Sequence, residues 1–166
     1  MAILKDNGLD IISHSTEQTE RLGARLGSLL QPGDVICLSG DMGAGKTIFT
    51  KGIGKGWGAT SQITSPTFNL VHTHKREQDT HQLYHLDCYR LENAAETDTI
   101  GLDDILDEQG TVVFEWPERI EAALPENRLW IDLFVIESTR RNVVFEGCGD
   151  RYIELISEFR ERSYGV

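Results

Sequence analysis

The sequence predicts one α/β domain in three layers, in which a central mixed, largely parallel sheet is combined with antiparallel hairpins. An apolar run at 35–39 leads into a glycine-rich loop at 40–47, and a segment able to start a helix follows that loop. A second apolar run, at 111–115, ends in a carboxylate. Two further segments, 67–88 and 128–145, alternate as the strands of hairpins do. This order favours strands and helices mixed in one domain.

Length and composition set the class of protein. The 166 residues suffice for one domain with a hydrophobic core, and we expect a single domain over 1–166. No apolar run approaches the roughly 20 residues of a membrane span, and the amino terminus lacks a secretory signal pattern. We therefore expect a cytoplasmic protein with no membrane partner. The net charge of −11 disfavours direct binding to DNA or RNA. Three widely spaced cysteines argue against a disulfide or zinc framework.

The opening segment predicts a strand followed by a helix. Residues 9–14 have the composition of a short strand, and Ser15 begins a capping-box pattern with Gln18 three positions later. Leucines at helical spacing then predict a helix that continues to about Leu30. Proline and glycine at 31–33 end it.

The loop after the second predicted strand fits the phosphate-binding pattern, in which two glycines four residues apart precede Lys and Ser or Thr. Its glycines let successive backbone N–H groups point at one anion, next to the positive end of a helix. Lys46 is expected to reach the β- and γ-phosphates, and Thr47 to offer its hydroxyl to Mg²⁺. The predicted fold is thus a single P-loop NTPase-like domain. The loop residues predicted to bind a nucleoside triphosphate are Gly40, Asp41, Met42, Gly43, Ala44, Gly45, Lys46, Thr47 and Ile48.

The helix after the loop has weak intrinsic support. Four glycines alternate through it, and each interior glycine costs about 1 kcal/mol relative to alanine. We expect the helix to end near Gly56 or Gly58. It should depend on packing by four apolar residues, namely Ile48, Phe49, Ile53 and Trp57.

The next segment combines a turn, a hairpin and a carboxylate. Pro66 predicts an extended turn, and Ser65 and Thr67 are by themselves best interpreted as turn residues. The hairpin over 67–88 ends close to Asp87. A carboxylate at a strand end can hold Mg²⁺ beside a phosphate loop, although an isolated one is more often solvated.

Glu115 ends a segment with the pattern of a central strand, because three apolar residues precede it. Ligands of parallel-sheet enzymes bind at the carboxyl ends of strands. Glu115 is therefore placed to bind the metal, to orient an attacking water or to take its proton. Trp116 either covers the site or packs in the core, and Pro117 starts a short helix. Helices are also predicted at 93–108, with an acidic solvated face, and at 150–162.

The phosphate-binding loop by itself does not distinguish among the classes of protein that share it. No Asn-Lys-x-Asp motif suggests a guanine-specific GTPase. A small-molecule P-loop phosphotransferase remains an alternative, although no arginine-bearing lid or acceptor site is evident. A nucleotide-binding regulatory module without useful hydrolysis is a third possibility.

Four motifs in order carry a more specific resemblance. They are Gly40–Thr47, Ser65–Phe68, His85–Leu91 and Glu115–Glu118. Their order and spacing, over about residues 10–145, resemble the bacterial TsaE family, the small ATPases of tRNA threonylcarbamoyladenosine biosynthesis.

The resemblance implies ATP and Mg²⁺ as cofactors and assigns roles to residues. Catalysis would rest on Lys46, Asp87 and Glu115, and metal binding on Thr47, Asp87 and Glu115. The switch-like segment near the γ-phosphate would include Ser65 and Thr67. Trp116 would lie beside the nucleotide. The resemblance also places the adenine near the segment with Thr16 and Thr19, and Arg141 or its neighbour Arg140 near the nucleotide.

The implied role is that of a switch. Such proteins hydrolyse ATP while bound to a TsaD–TsaB pair and reset that enzyme between turnovers, so tRNA would be contacted indirectly, through the partners. Hydrolysis is expected to be slow alone, because no evident arginine finger completes the transition-state clamp. Two positions depart from the family pattern: Ile48 replaces a threonine, and Cys88 replaces a leucine.

Overall fold

The protein is built around one seven-stranded sheet. The computed structural model describes residues 7–61 and 70–164 of the chain. The strands are β1 (Gly8–Ser13), β2 (Val35–Ser39), β3 (Val71–Lys75), β4 (Gln82–Asp87), β5 (Thr111–Glu115), β6 (Arg128–Val135) and β7 (Arg141–Cys148). The α-helices are α1 (Thr16–Gly27), α2 (Lys46–Trp57), α3 (Leu102–Asp107) and α4 (Asp150–Tyr164). Two 3₁₀ helices span Ala94–Ile100 and Pro117–Ala123.

The strand order is β1-β7-β6-β2-β5-β4-β3. The four central strands β6, β2, β5 and β4 are parallel, whereas β7 is antiparallel to β1 and β6, and β3 is antiparallel to β4. This confirms the predicted mixed α/β fold. The register pairs Leu38 with Glu115, and Glu115 with Asp87. Both carboxylates therefore lie side by side at the edge of the sheet from which the glycine loop departs.

Helices cover the sheet in two layers, and each layer has its own hydrophobic cluster. Residues of α1, α2 and α4 pack on one face, where Leu26, Phe49 and Phe159 are fully buried. The other face is packed by α3 and the 3₁₀ helix that contains Ile120. Cys37 lies in this second cluster, as expected for a small core residue. No helix within the described residues is long and apolar enough to cross a bilayer.

The first helix begins as its capping pattern predicts. The Ser15 hydroxyl accepts a hydrogen bond from the backbone N–H of Gln18, and the Gln18 side chain accepts one from the backbone N–H of His14. The helix ends at Gly27, earlier than predicted, because the chain turns there and buries Leu29 and Leu30 without further helical turns.

The second helix ends at Trp57 with Gly58 in the left-handed conformation, which confirms the predicted terminus. Three of its four predicted packing residues are buried in the core, namely Phe49, Ile53 and Trp57. The prediction for Ile48 is wrong. Its side chain is only half-buried and lines a surface cavity, because it faces the glycine loop rather than the sheet.

Two other predictions need correction. The helix predicted at 93–108 is a 3₁₀ helix followed by the short α3, with Gly101 in the left-handed conformation between them. The composition also predicts that Gly147 and Gly149 end the last strand after Phe145, and this prediction is wrong. The strand continues to Cys148, since Gly147 pairs with Leu129 and its missing side chain leaves room for Tyr152.

Candidate functional site

The glycine loop lies between the end of β2 and the start of α2. Gly43 and Gly45 have φ values of 81° and 107°, which L-residues with side chains rarely adopt. Ala44, between them, is buried in the core and anchors the loop. The first turn of α2, which begins at Lys46, follows the loop directly, with Gly45 as its cap residue and without a side-chain cap among the described residues. This arrangement is suited to holding an anion.

Lys46 is folded back on the loop. Its Nζ donates hydrogen bonds to the carbonyl oxygens of Gly40 and Asp41, the second at 2.9 Å, and lies 4.2 Å from the centre of the Trp116 ring. Burial lowers the pKa of Lys46, and the nearby Glu115 carboxylate opposes that change. A phosphate group could replace the two carbonyls as acceptor for this ammonium.

Glu115 is buried and holds two hydrogen bonds. Its Oε1 accepts one from the Thr47 hydroxyl at 3.3 Å, and its Oε2 accepts one from Nε2 of His85. Asp87, its neighbour on β4, accepts a hydrogen bond from the backbone N–H of Tyr89 at 3.0 Å. Burial raises the pKa of Asp87, the Tyr89 N–H opposes the rise, and the Glu115 charge adds to it.

Trp116 has an unusual backbone conformation. Its φ of 57° and ψ of 47° lie in the left-handed region, which costs a bulky residue about 1 kcal/mol or more. The turn brings the indole ring over Lys46 and to 5.0 Å from the ring of Tyr89. The strained residue thus helps to form one wall of the site.

A cavity of about 350 Å³ lies between the loop and the strand ends. It is lined by Met42, Gly43, Gly45, Lys46, Thr47, Ile48, Asp87, Tyr89, Glu115 and Trp116. A smaller cavity of about 90 Å³ adjoins it, lined by Thr16, Thr19, Gly43, Gly45, Ile48, Thr139 and Arg141. The structure therefore brings most predicted site residues to two adjoining cavities. Ser65 and Thr67 lie outside the described residues.

Arg141 braces the loop from the start of β7. Its Nε donates to the carbonyl of Ala44 at 3.0 Å and its Nη2 to that of Gly43 at 3.3 Å. Arg140 instead pairs with Glu137, with 3.9 Å between Nε and Oε2. The arrangement places Arg141, and not its neighbour, beside the smaller cavity.

The donor groups at the main cavity fit Mg²⁺. Thr47, Asp87 and Glu115 contribute a hydroxyl and two carboxylates, and Mg²⁺ prefers oxygen ligands. Beside nucleotides this ion typically takes one or two protein carboxylates and completes its shell with phosphate and water. Within 7–61 and 70–164, no cluster of three or more His, Cys, Asp or Glu side chains has the spacing of a metal site.

Sequence reasoning gave no role to two residues of this site. Tyr89 lines the main cavity, and His85 lies behind Glu115. The alternation of β4 offered a signal for His85, since it places that residue on the same face as Asp87. Tyr89 follows the end of β4 in a loop, where no periodicity could indicate its direction.

Comparisons with known proteins point to one family. The family model described as "Threonylcarbamoyl adenosine biosynthesis protein TsaE" matches residues 13–143. The chain is 38% identical over 142 residues to the tRNA threonylcarbamoyladenosine biosynthesis protein TsaE of Bacillus subtilis, covering 86% of this chain and 87% of that protein. The protein of the same name from Treponema pallidum is 38% identical over 80% of this chain and 96% of its own length. The crystal structure of Bacillus subtilis YdiB matches with a TM-score of 0.78 and 32% identity, over 98% of this chain and 99% of that one.

Proposed function

Because the chain belongs to the TsaE family, and so to proteins of tRNA threonylcarbamoyladenosine biosynthesis, we propose that it binds and hydrolyses ATP with Mg²⁺. The observation that carries this proposal is the meeting of Lys46, Thr47 and Glu115 at one cavity. A phosphate-binding loop supplies the first two residues, and a strand end supplies the carboxylate. P-loop enzymes that hydrolyse the phosphoanhydride bond of ATP combine such a loop with a residue that orients the attacking water.

The two adjoining cavities suggest where ATP lies. The triphosphate would occupy the main cavity, where Lys46 would exchange its two carbonyl acceptors for phosphate oxygens. The adenine would lie in the smaller cavity, against Thr16, Thr19 and Arg141. Ile48 borders both cavities and would lie between the two parts of the nucleotide.

Glu115 is our candidate for orienting the attacking water or accepting its proton. Its carboxylate lies at the cavity wall, and the hydrogen bond from His85 holds it from the side of the sheet, so little reorganisation would be needed. Bound Mg²⁺ would neutralise charge on the transferred phosphate. Thr47 and Asp87 would hold that ion, and Trp116 would exclude water from one side.

We further propose that hydrolysis resets a TsaD–TsaB pair, and that the protein works in the cytoplasm. The net charge of −11 supports indirect contact with tRNA, because such a surface repels phosphates at a distance. The arginine at the smaller cavity, Arg141, already donates to loop carbonyls. If the partner supplies a further contact to the phosphate in the transition state, the protein without partners would hydrolyse ATP slowly, and the partners would stimulate hydrolysis.

The first experiment measures ATP hydrolysis by the protein alone and with a TsaD–TsaB pair from the same source. We expect the pair to raise turnover at least about 10-fold, since added transition-state contacts in P-loop enzymes act on this scale or above. Lys46→Ala and Glu115→Gln should each lower stimulated turnover about 100-fold, whereas Arg140→Ala, at an exposed ion pair, should not.

Three outcomes would contradict this proposal. Wild-type turnover in both site variants would remove the assigned residues from the chemistry. Fast turnover without any response to the pair would contradict the switch. Phosphate transfer to a metabolite in the absence of protein partners would instead support the small-molecule phosphotransferase alternative.

A further inference from the structure

We propose that His85 is a positioning residue that holds the Glu115 carboxylate in its working orientation. The proposal rests on the role of Glu115 in ATP hydrolysis proposed above. His85 lies on β4, two residues before Asp87, and is fully buried on the side of Glu115 away from the cavity. Its Nε2 bonds directly to Oε2 of Glu115. An ionised carboxylate can only accept, so the imidazole N–H is the donor.

The two oxygens of Glu115 have different partners. Oε1 faces the Thr47 hydroxyl at the start of α2, whereas Oε2 faces His85 on the neighbouring strand. Thr47 is also a predicted Mg²⁺ ligand, and its hydroxyl oxygen would turn to the metal when nucleotide binds. His85 is then the contact that continues to fix the carboxylate, because it reaches Glu115 from the sheet and not from the cavity.

The hydrogen bonding of the imidazole supports a dedicated role. Among residues 7–61 and 70–164, Nδ1 of His85 has no hydrogen-bond partner, so the bond to Glu115 is the one that the ring makes there. Its neighbours on this face of the sheet include Leu83 and Val113, which are fully buried and apolar. An apolar residue would suit that environment better unless the N–H group is needed.

A second buried histidine provides a matched control. His74 lies on β3, on the same face of the sheet, and is 5% exposed. Its Nδ1 lies 3.2 Å from the Ser61 hydroxyl, and its Nε2 has no hydrogen-bond partner in the described part of the chain. It therefore shares burial and sheet face with His85 but has no bond to Glu115.

The activity test compares three variants in the presence of the TsaD–TsaB pair. His85→Leu removes the donor, and His85→Gln retains an N–H at a similar distance from the backbone. We expect His85→Leu to lower kcat about 10- to 100-fold, with KM for ATP changed less than about 3-fold, as for other groups that orient a catalytic ligand. His85→Gln should recover part of the loss, and His74→Leu should keep wild-type kcat.

A purely structural role gives a different result. If His85 only fills space, the loss of activity in all three variants will follow their loss of thermal stability, and glutamine will rescue no better than leucine. A folded His85→Leu variant with wild-type kcat would also overturn the proposal.

A second readout does not depend on hydrolysis. Ring ¹H–¹⁵N NMR signals of His85 should show a hydrogen-bonded Nε2 proton in the wild-type protein, and that signal should shift in Glu115→Gln. The control Glu118→Gln should leave it in place. Unchanged His85 signals in Glu115→Gln would overturn the positioning role, even if His85→Leu fails to fold. If the wild-type protein gives the expected NMR result but does not hydrolyse ATP, the proposed function is refuted, whereas the hydrogen bond between His85 and Glu115 is still supported.

Discussion

Asp34 and Arg151 connect the last helix to the turn before β2. The Asp34 carboxylate is 3% exposed and accepts two hydrogen bonds from the guanidinium, Nε to Oδ1 at 2.9 Å and Nη2 to Oδ2 at 2.8 Å. It also accepts the backbone N–H of Gln31 at 2.7 Å. Hydrogen bonding to Asp34 raises the pKa of Arg151. At the scale of single residues, this bidentate pair is a strong tertiary contact.

We expect Arg151→Ala to lower the free energy of unfolding by about 2–4 kcal/mol, because it leaves a buried carboxylate without its cation. Urea denaturation of the variant and of the wild-type protein at neutral pH measures the difference in the free energy of unfolding. Arg140→Ala is the control, since both partners of its ion pair are largely exposed, and it should change stability by less than about 0.5 kcal/mol. Equal effects of the two substitutions would show that the pair with Asp34 adds nothing beyond a surface contact.

At the scale of elements, close contact between α1 and α2 explains the glycines that weaken α2. A Cβ added at Gly52 would lie 2.0 Å from the carbonyl oxygen of Glu20, and one at Gly56 would lie 1.8 Å from that of Ala24. Gly23 on α1 faces α2 in the same way, 2.2 Å from the carbonyl oxygen of Phe49. The glycines therefore let the two helix backbones come into contact. In the sequence alone, the same glycines indicated only a less stable helix.

Gly56→Ala should destabilise the protein by about 2 kcal/mol or more, although helix propensity alone predicts a gain of about 1 kcal/mol. The sign is reversed because the obstacle is a backbone carbonyl, which cannot rotate away. Thermal and urea unfolding measure the change, with Lys51→Ala as a control in the same helix. A more stable Gly56→Ala protein would mean that the helices separate at little cost.

At the scale of the whole molecule, burial protects several weakly acidic groups in their neutral form. It raises the pKa of Cys37 to about 12 from an ordinary value of 9.0, and burial is also the main reason that the pKa values of Tyr84 and Tyr152 rise to about 12 from 10.0. The unfolded chain releases these protons at lower pH than the folded one. Their contribution to stability is thus complete below pH 9 and is lost as the pH rises toward 12.

The free energy of unfolding should therefore fall steadily above pH 9, which urea titrations at pH 8, 9.5 and 11 would measure. Tyr152→Phe should be less stable at pH 8, because the backbone N–H of Val35 loses its buried acceptor, which costs about 1–3 kcal/mol. The same variant should lose stability less steeply with pH. If the free energy of unfolding depends on pH equally steeply in both proteins, Tyr152 does not contribute to the loss of stability at alkaline pH.

Much of the fold followed from local patterns. The Ser15 cap, the termination of α2 at Gly58 and the strand that ends at Glu115 are each specified by a few consecutive residues. Predictions failed where distant segments decided the outcome. Ile48 lies at the cavity and not in the core because of how α2 is rotated against the sheet, and β7 passes through Gly147 because α4 packs there.

The sequence by itself predicted a phosphate-binding loop, since the pattern belongs to adjacent residues from Gly40 to Thr47, and four ordered motifs indicated the family. Only the tertiary structure placed His85 behind Glu115 and showed why α2 contains its glycines. Those contacts depend on the strand order β2-β5-β4 and on the approach of two helix backbones. Both arise from pairing between segments far apart in the chain, and such pairing is fixed by the packing of the whole core rather than by any local pattern.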